Sequence, residues 1–342
     1  SDVYKRQVFK ESEVFNNEKD GYSIIRNTYL PYRNKNWSTE FYNQGNRPPN
    51  LLFDNKDYSF TKFETFNKLK SESHPIINNG NVIYHDKKGF IYAYSIDKKE
   101  EILKYNFYKK KFKNNKKKIS LIVNNKIIYA ADNLGFIYSI DINSRKVLWA
   151  KNFGIPFRSE IKIINEQLFV ANQDNILFSL NPLNGDVNWQ YSSSLSALKS
   201  NFINSIVGNK SDDVFFLNTN GELYSIDTTF KKVNWVLNFQ ESLSNRLNEK
   251  LFYSLPLVAD EKYIYITLKD KLIILDVNSG IVKLTKSISL SIPPIVLGEN
   301  VFLINKNNLI ISIDISNGNI DWSKNILNKI QKLGIKKHKI GK

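Results

Sequence analysis

His74, His85 and His338 are the three histidines of this 342-residue chain, and no two of them share the spacing of metal ligands on one helix or strand face. Cysteine is absent, which excludes disulfides, thiolate metal sites, a cysteine nucleophile and a lipid-modified N-terminal cysteine in the chain as given. No glycine-rich phosphate loop and no G-x-S-x-G elbow occurs, and no hydroxyl nucleophile is matched with a base. The acidic residues form no cluster at calcium-ligand spacing. The residue inventory therefore predicts a protein that is not an enzyme and carries neither a metal nor a cofactor.

Charge is the next chemistry to weigh. The formal net charge is +16, and KKKFKNNKKK (residues 109–118) is its densest run. Such a run can attract phospholipid headgroups or nucleic acid. The excess, however, is spread along a chain rich in Lys, Asn and Ile, as codon bias in an AT-rich genome produces, so the run is expected to be a solvated hairpin tip and nucleic acid is not expected as a partner. No stretch of about 18 apolar residues occurs, and no charged-then-apolar leader, so membrane attachment would depend on a lipid anchor absent from this chain. Methionine is absent too, including an initiator, which predicts a fragment or a processed product. The opening SDVYKRQ (residues 1–7) resembles a translated sequencing-adapter remnant.

The acidic residues say more through their positions. GFIYSIDINSRKVLW (135–149), NILFSLNPLNGDVNW (175–189), GELYSIDTTFKKVNW (221–235) and NLIISIDISNGNIDW (308–322) align without a gap. With the acidic position as origin, copies centre on Ser95, Asp141, Asn181, Asp227, Asp276 and Asp314, separated by 46, 40, 46, 49 and 38 residues. Eight residues after each origin stand Leu103, Trp149, Trp189, Trp235, Leu284 and Trp322, so four of the five tryptophans share one repeat position. A period in the forties indicates propeller blades or helical arrays.

The elements that carry these positions are strands. Thirteen residues before each origin a short apolar run begins, at Val82, Ile128, Leu168, Val214, Tyr263 and Val301, too short for a helix and rich in β-formers. A polar turn such as Leu134-Gly135 or Asn220-Gly221 follows, then the strand ending at the origin, a second turn, and a strand ending at the Trp. Gly185, Gly280 and Gly318 occupy the second turn, where positive φ costs glycine little. Upstream runs such as HPIINNG (74–80) and PPIVLGEN (293–300) supply a fourth strand. The expected fold is all-β: a β-propeller of four-stranded blades, six of them visible, within a ring of seven or eight. Asp141, Asp227, Asp276 and Asp314 are expected to tie turns, and Trp149, Trp189, Trp235 and Trp322 to wedge between blades. Asp132, Asp174 and Asp270 are likewise read as turn residues.

The repeated block, G-x-[LI]-[YF]-[AS]-[LI]-D-x-x-[TS]-G-x-x-x-W, resembles the pyrroloquinoline-quinone-like (PQQ-like) propeller repeat over residues 75–322. That repeat occurs in quinone-dependent dehydrogenases and in BamB, a periplasmic lipoprotein scaffold of outer-membrane protein assembly. The dehydrogenases are longer and many use a vicinal disulfide and a Glu, Asn and Asp group holding Ca²⁺. The length and the missing motifs here look like BamB. NWSTEFYNQGNRPPNLLF (36–53) is similar to the segment preceding the propeller in alphaproteobacterial members of that family.

The resemblance implies residues 1–59 as an N-terminal extension and 60–342 as the propeller, with 60–70 the strand that closes the ring on the last blade and a seventh copy beginning near Lys332, where the chain stops. It implies a scaffold at the periplasmic face of the outer membrane that binds the barrel-assembly subunit and also unfolded outer-membrane proteins. In that family a Leu-rich loop carrying an Arg docks on the barrel subunit, and YSSSLSALKSN (191–201) is similar, with Leu195 and Leu198 as apolar anchors and Lys199 as the cation. The same leucines would alternatively begin the next blade's inner strand. A truncated PQQ-dependent dehydrogenase and a generic propeller interaction module are the other functions that the repeat allows.

Overall fold

The computed structural model describes residues 14–22, 30–52, 74–195, 204–240 and 252–327. The repeat folds as six four-stranded antiparallel sheets, each a meander of consecutive strands. Blade 1 is β1 (Ile76–Asn78), β2 (Asn81–His85), β3 (Phe90–Ser95) and β4 (Glu100–Asn106); blade 2 is β5 (Ile119–Asn124), β6 (Ile127–Asp132), β7 (Phe136–Asp141) and β8 (Lys146–Asn152). Blade 3 is β9 (Lys162–Ile164), β10 (Gln167–Ala171), β11 (Ile176–Leu180) and β12 (Val187–Ser192); blade 4 is β13 (Ser205–Gly208), β14 (Asp213–Leu217), β15 (Glu222–Asp227) and β16 (Lys232–Asn238). Blade 5 is β17 (Val258–Ala259), β18 (Tyr263–Thr267), β19 (Leu272–Asp276) and β20 (Val282–Lys286); blade 6 is β21 (Ile295–Leu297), β22 (Asn300–Ile304), β23 (Leu309–Asp314) and β24 (Ile320–Asn325).

Blade faces pack on one another, which explains the near-continuous apolar strands. β14 is buried at every residue, whereas the outermost β16 alternates exposed and half-buried. Hydrophobic clusters join blades 1 and 2, 2 and 3, 3 and 4, 4 and 5, and 5 and 6. Among the described residues no such cluster joins blade 6 to blade 1: Val82, Tyr84 and Tyr92 cluster within blade 1, and Phe302 packs on Trp322 within blade 6. The expected closing strand (60–70) and the seventh copy near Lys332 lie outside the described residues. The outer edge of β24 is lined by residues 17–21, where Lys19 exchanges backbone hydrogen bonds with Ser323 and Asn325 N–H donates to the Glu18 carboxylate at 2.7 Å.

The repeat acids tie turns, as read from the sequence. Asp141 Oδ1 accepts from the N–H groups of Asn143 and Ser144 at 2.7 and 2.8 Å, and Asp227 Oδ1 from those of Thr229 and Phe230 at 2.8 and 2.7 Å. Asp276 accepts from Asn278 and Ser279, and Asp314 from Ser316. The hydrogen bonds from Ser279 hold the Asp276 carboxyl below its ordinary value. These are side-chain closures of the turn, the reason Asp and Asn recur there.

The tryptophans divide in two. Trp149 and Trp235 wedge against the following blade, donating their indole N–H to Pro182 O at 2.8 Å and Val277 O at 2.9 Å. Trp189 packs in the cluster between blades 3 and 4 but donates to Gln167 of its own blade at 3.0 Å. Trp322 lies against Phe302 on the side of blade 6 that no described blade covers.

Candidate docking loop and channel plug

Because every blade is a meander, its connections alternate between two faces of the propeller. One face holds the turns between second and third strands and the links from one blade to the next. The loop with Leu195 leaves β12 on this face. Leu195 is 75% exposed, as an anchor for a partner must be, while Leu198 and Lys199 lie outside the described residues.

The root of that loop is held by a polar frame across blades 3 and 4. Ser193 Oγ donates to Asn175 O at 2.8 Å, Asn218 Nδ2 donates to Ser193 Oγ at 2.9 Å, and Asn220 Nδ2 and Asn175 Nδ2 both donate to Ser194 O, at 3.0 and 3.1 Å. Glu222 sits at the centre, with Oε2 accepting from Ser194 Oγ, from Asn218 Nδ2 at 2.7 Å and from the Tyr224 hydroxyl at 2.8 Å. Burial would raise the Glu222 carboxyl, but the hydrogen bonds from Ser194, Asn218 and Tyr224 outweigh it and hold it below its ordinary value. The signal was present in the repeat: Phe90, Phe136, Ile176 and Leu309 are apolar where Glu222 stands, and Lys271 of blade 5 is the other charged exception. A charge at an apolar repeat position marks a local task.

The second feature has no counterpart in the repeat. Residues 37–47, from the N-terminal extension, run across the propeller axis and bond to the innermost strand of all six blades. Trp37 exchanges backbone hydrogen bonds with Ile77 of β1 at 2.6 and 2.8 Å, and Val123 of β5 donates to Ser38 O at 3.0 Å. Lys162 of β9 donates to Asn46 Oδ1 and, at 3.4 Å, to Asn43 O. Gly208 of β13 donates to Gln44 O and Ala259 of β17 to Gly45 O, both at 2.9 Å, and Arg47 Nε reaches Val296 O of β21 at 3.5 Å. Inner strand edges carry unpaired N–H and C=O groups, and this segment satisfies them.

Its local shape follows from Asn43 and Gly45. Asn43 Oδ1 accepts from Gly45 N and Arg47 N, at 3.0 and 2.9 Å, folding the chain into a tight turn. A Cβ on Gly45 would come within 2.4 Å of Ala259 O, so only glycine permits this approach. At the bottom of the turn Asn46, 3% exposed, donates to Leu257 O at 2.8 Å while accepting from Lys162. Lys162 Nζ lies 3.1 Å from Glu160 Oε2. Burial pushes the Glu160 carboxyl above its ordinary value, and the Lys162 ammonium pulls it part of the way back.

Beside the plug a cavity of about 550 Å³ is lined by Arg47, Lys210, Asp260 and Glu261 among others. Its two carboxylates already serve turns: Asp260 accepts from Lys262 N, Tyr263 N and the Tyr265 hydroxyl, and Glu261 from Lys210 N. Among the described residues no three His, Asp or Glu side chains converge as a metal site would require.

Six radially packed four-stranded meanders define the class: a β-propeller. Within that class the family model for outer membrane protein assembly factor BamB matches residues 37–283, and the chain belongs to that family. The match begins at Trp37, the first residue of the plug. Among solved structures the fold is similar to BamB from Moraxella catarrhalis, with a TM-score of 0.59 and 13% identity over 73% of this chain and 75% of that one. It is similar also to the computationally designed protein Ika8, with a TM-score of 0.54 and 12% identity over 74% of each chain. A quinohemoprotein alcohol dehydrogenase from Pseudomonas putida shares the fold, with a TM-score of 0.55 and 11% identity over 73% of this chain and 58% of that one. No curated protein sequence matches the chain.

Proposed function

We propose that this chain is a non-catalytic scaffold at the periplasmic face of the outer membrane, which assists assembly of β-barrel proteins by binding the barrel-assembly subunit through the loop leaving β12. The observation that carries this reading is Leu195, an apolar side chain held out at 75% exposure on a root ordered by Glu222 and its neighbours. An exposed anchor on a preorganised base is the arrangement a binding hot spot needs, since little ordering remains to be done on association. In the sequence Leu198 and Lys199 follow within four residues and belong to the same proposed anchor. Unfolded outer-membrane proteins are the second partner of this reading, held along exposed blade edges by strand addition.

The plug supports a scaffold over an axial catalyst. Residues 37–47 bond to all six inner strands, through backbone or side chain, so this segment occupies space about the axis. Direct binding of the full chain to the soluble periplasmic domains of the barrel-assembly subunit tests the proposal. Saturable binding, lost in the Leu195→Glu/Lys199→Glu variant with the fold intact, is expected. Absence of binding by the folded chain, together with a new absorption band on adding pyrroloquinoline quinone and Ca²⁺, would overturn it in favour of a dehydrogenase.

A further inference from the structure

The lysine run at 109–118 is not a hairpin tip. It links β4 of blade 1 to β5 of blade 2, with one 3-10 turn at Lys110–Phe112, and it is strapped to the propeller along its length. Phe107 stacks on Tyr138 at 4.2 Å, the Tyr108 hydroxyl donates to Asp132 at 2.6 Å, and Phe112 meets Phe136 edge-on at 5.5 Å. Lys117 alone of the lysines turns inward. It is 1% exposed, its ammonium donates to Phe112 O and lies 5.1 Å over the Tyr108 ring, and its N–H donates to Lys87 O at 3.0 Å. Asn133 clamps the far end, accepting from Lys118 N at 2.9 Å and donating to Lys116 O at 3.1 Å.

With the loop so fixed, Lys109, Lys110, Lys111, Lys113, Lys116 and Lys118 project as exposed cations. The turn between β2 and β3 adds Lys87 and Lys88 beside them, also exposed. No Asp or Glu occurs from residue 102 to residue 131. The carboxylates that flank the ledge, among the described residues, face inward and are engaged: Asp86 accepts from Lys88 N, Phe90 N and the Tyr92 hydroxyl, and Asp132 from Leu134 N, Phe136 N and the Tyr108 hydroxyl. Eight cations therefore stand on one ledge, and among the described residues no exposed carboxylate stands between them.

We propose that this ledge docks on an anionic phospholipid bilayer. Three features favour a bilayer over nucleic acid. The charges are all lysine, compact point charges without the planar fork by which arginine grips phosphates in pairs. The aromatic rings of the loop pack against Tyr138 and Phe136, leaving no platform on which a base would stack. The ledge also spreads its charges over two connections, suited to the diffuse field of a charged leaflet. It lies on the face that carries Leu195, so partner and membrane would be met from one side. The proposal stands independently of which protein docks at Leu195.

The test is flotation of the full chain with phosphatidylcholine vesicles, with and without about one-third phosphatidylglycerol. Binding is expected to need phosphatidylglycerol and to weaken with salt. Each lysine near an anionic leaflet contributes about fivefold in partitioning, so K109Q/K110Q/K111Q/K113Q should lower it by about six-hundredfold. K98Q/K99Q/K126Q/K146Q removes equal charge from the opposite face of the same blades and should bind like the parent; an equal loss in this variant would reduce the effect to net charge and overturn the proposal. Equal binding to both kinds of vesicle would overturn it as well. So would tighter binding to a single-stranded RNA oligonucleotide that is lost with the same four lysines.

Discussion

The ammonium of Lys162, with none of its side-chain surface exposed, lies 3.1 Å from the carboxylate of Glu160 and donates to Asn46 in the plug. A buried pair is costly to break and cheap to replace, because removing one partner strands the other charge in a poor solvent. Lys162→Met is expected to lower stability by about 3 kcal/mol, and adding Glu160→Gln should recover most of that loss. Denaturant unfolding of the two single variants and the double variant measures both.

The same pair sets a pH dependence. The carboxyl of Glu160 is raised in the folded state by burial, so the native protein holds this proton to higher pH than the unfolded chain. Stability contributed at Glu160 is therefore greatest below the ordinary carboxylate value of 4.5 and falls as pH rises through the raised folded value. Unfolding free energies from acid to neutral pH should decline in the parent relative to Glu160→Gln; parallel profiles would refute this.

Plug contacts can be read amide by amide. The N–H groups of Val123, Gly208 and Ala259 donate to Ser38, Gln44 and Gly45, and no other part of the repeat offers these acceptors. Asn46→Ala removes the bonds to Leu257 O and Lys162 and is expected to cost about 2 kcal/mol. Hydrogen exchange should then quicken at those three amides before it does in the outer strands. Uniform quickening would mean the plug is not a separate unit.

Trp149 and Gly185 belong to successive blades and fit one another. Gly185 has φ +73°, and a Cβ there would lie 2.4 Å from the Trp149 ring. Gly185→Ala is expected to cost about 2 kcal/mol, and Trp149→Ala about 3 to 5 kcal/mol. The equivalent turn of blade 4 carries Lys231 at φ +56°, and there the Trp189 indole donates within its own blade. Lys231→Gly should accordingly be neutral or stabilising by up to about 1 kcal/mol. Chemical denaturation distinguishes the two turns.

Glu222 holds the root of the proposed docking loop without belonging to it. Its carboxyl is held below the ordinary value of 4.5, so the ionised frame is fully present above that value and is lost as pH falls through the lowered one. Glu222→Leu, which installs the residue that blade 6 carries as Leu309, should leave the melting temperature close to that of the parent. Binding of the barrel-assembly domains is expected to fall severalfold. An unchanged affinity would separate the frame from docking.

The repeat was legible in sequence because each blade presents the same local problem. A turn closed by Asp141 or Asp227 depends on residues a few positions away, as does the outer strand that carries Trp149 or Trp235 at its middle and runs three residues beyond the expected end, so the pattern recurs in one dimension. The rest depended on distance. Asn46 meets Leu257 and Lys162 across more than a hundred residues, and no spacing in the chain announces that a segment read as a preceding extension would cross the axis. Likewise the sequence shows lysine at 117 as one more charge in a run, whereas packing against Tyr108 turns it inward and its neighbours outward. Local periodicity determined the strands, the turns and the blade. Only the radial arrangement of those blades decided which backbone edges needed a partner, and residues 37–47 supply it.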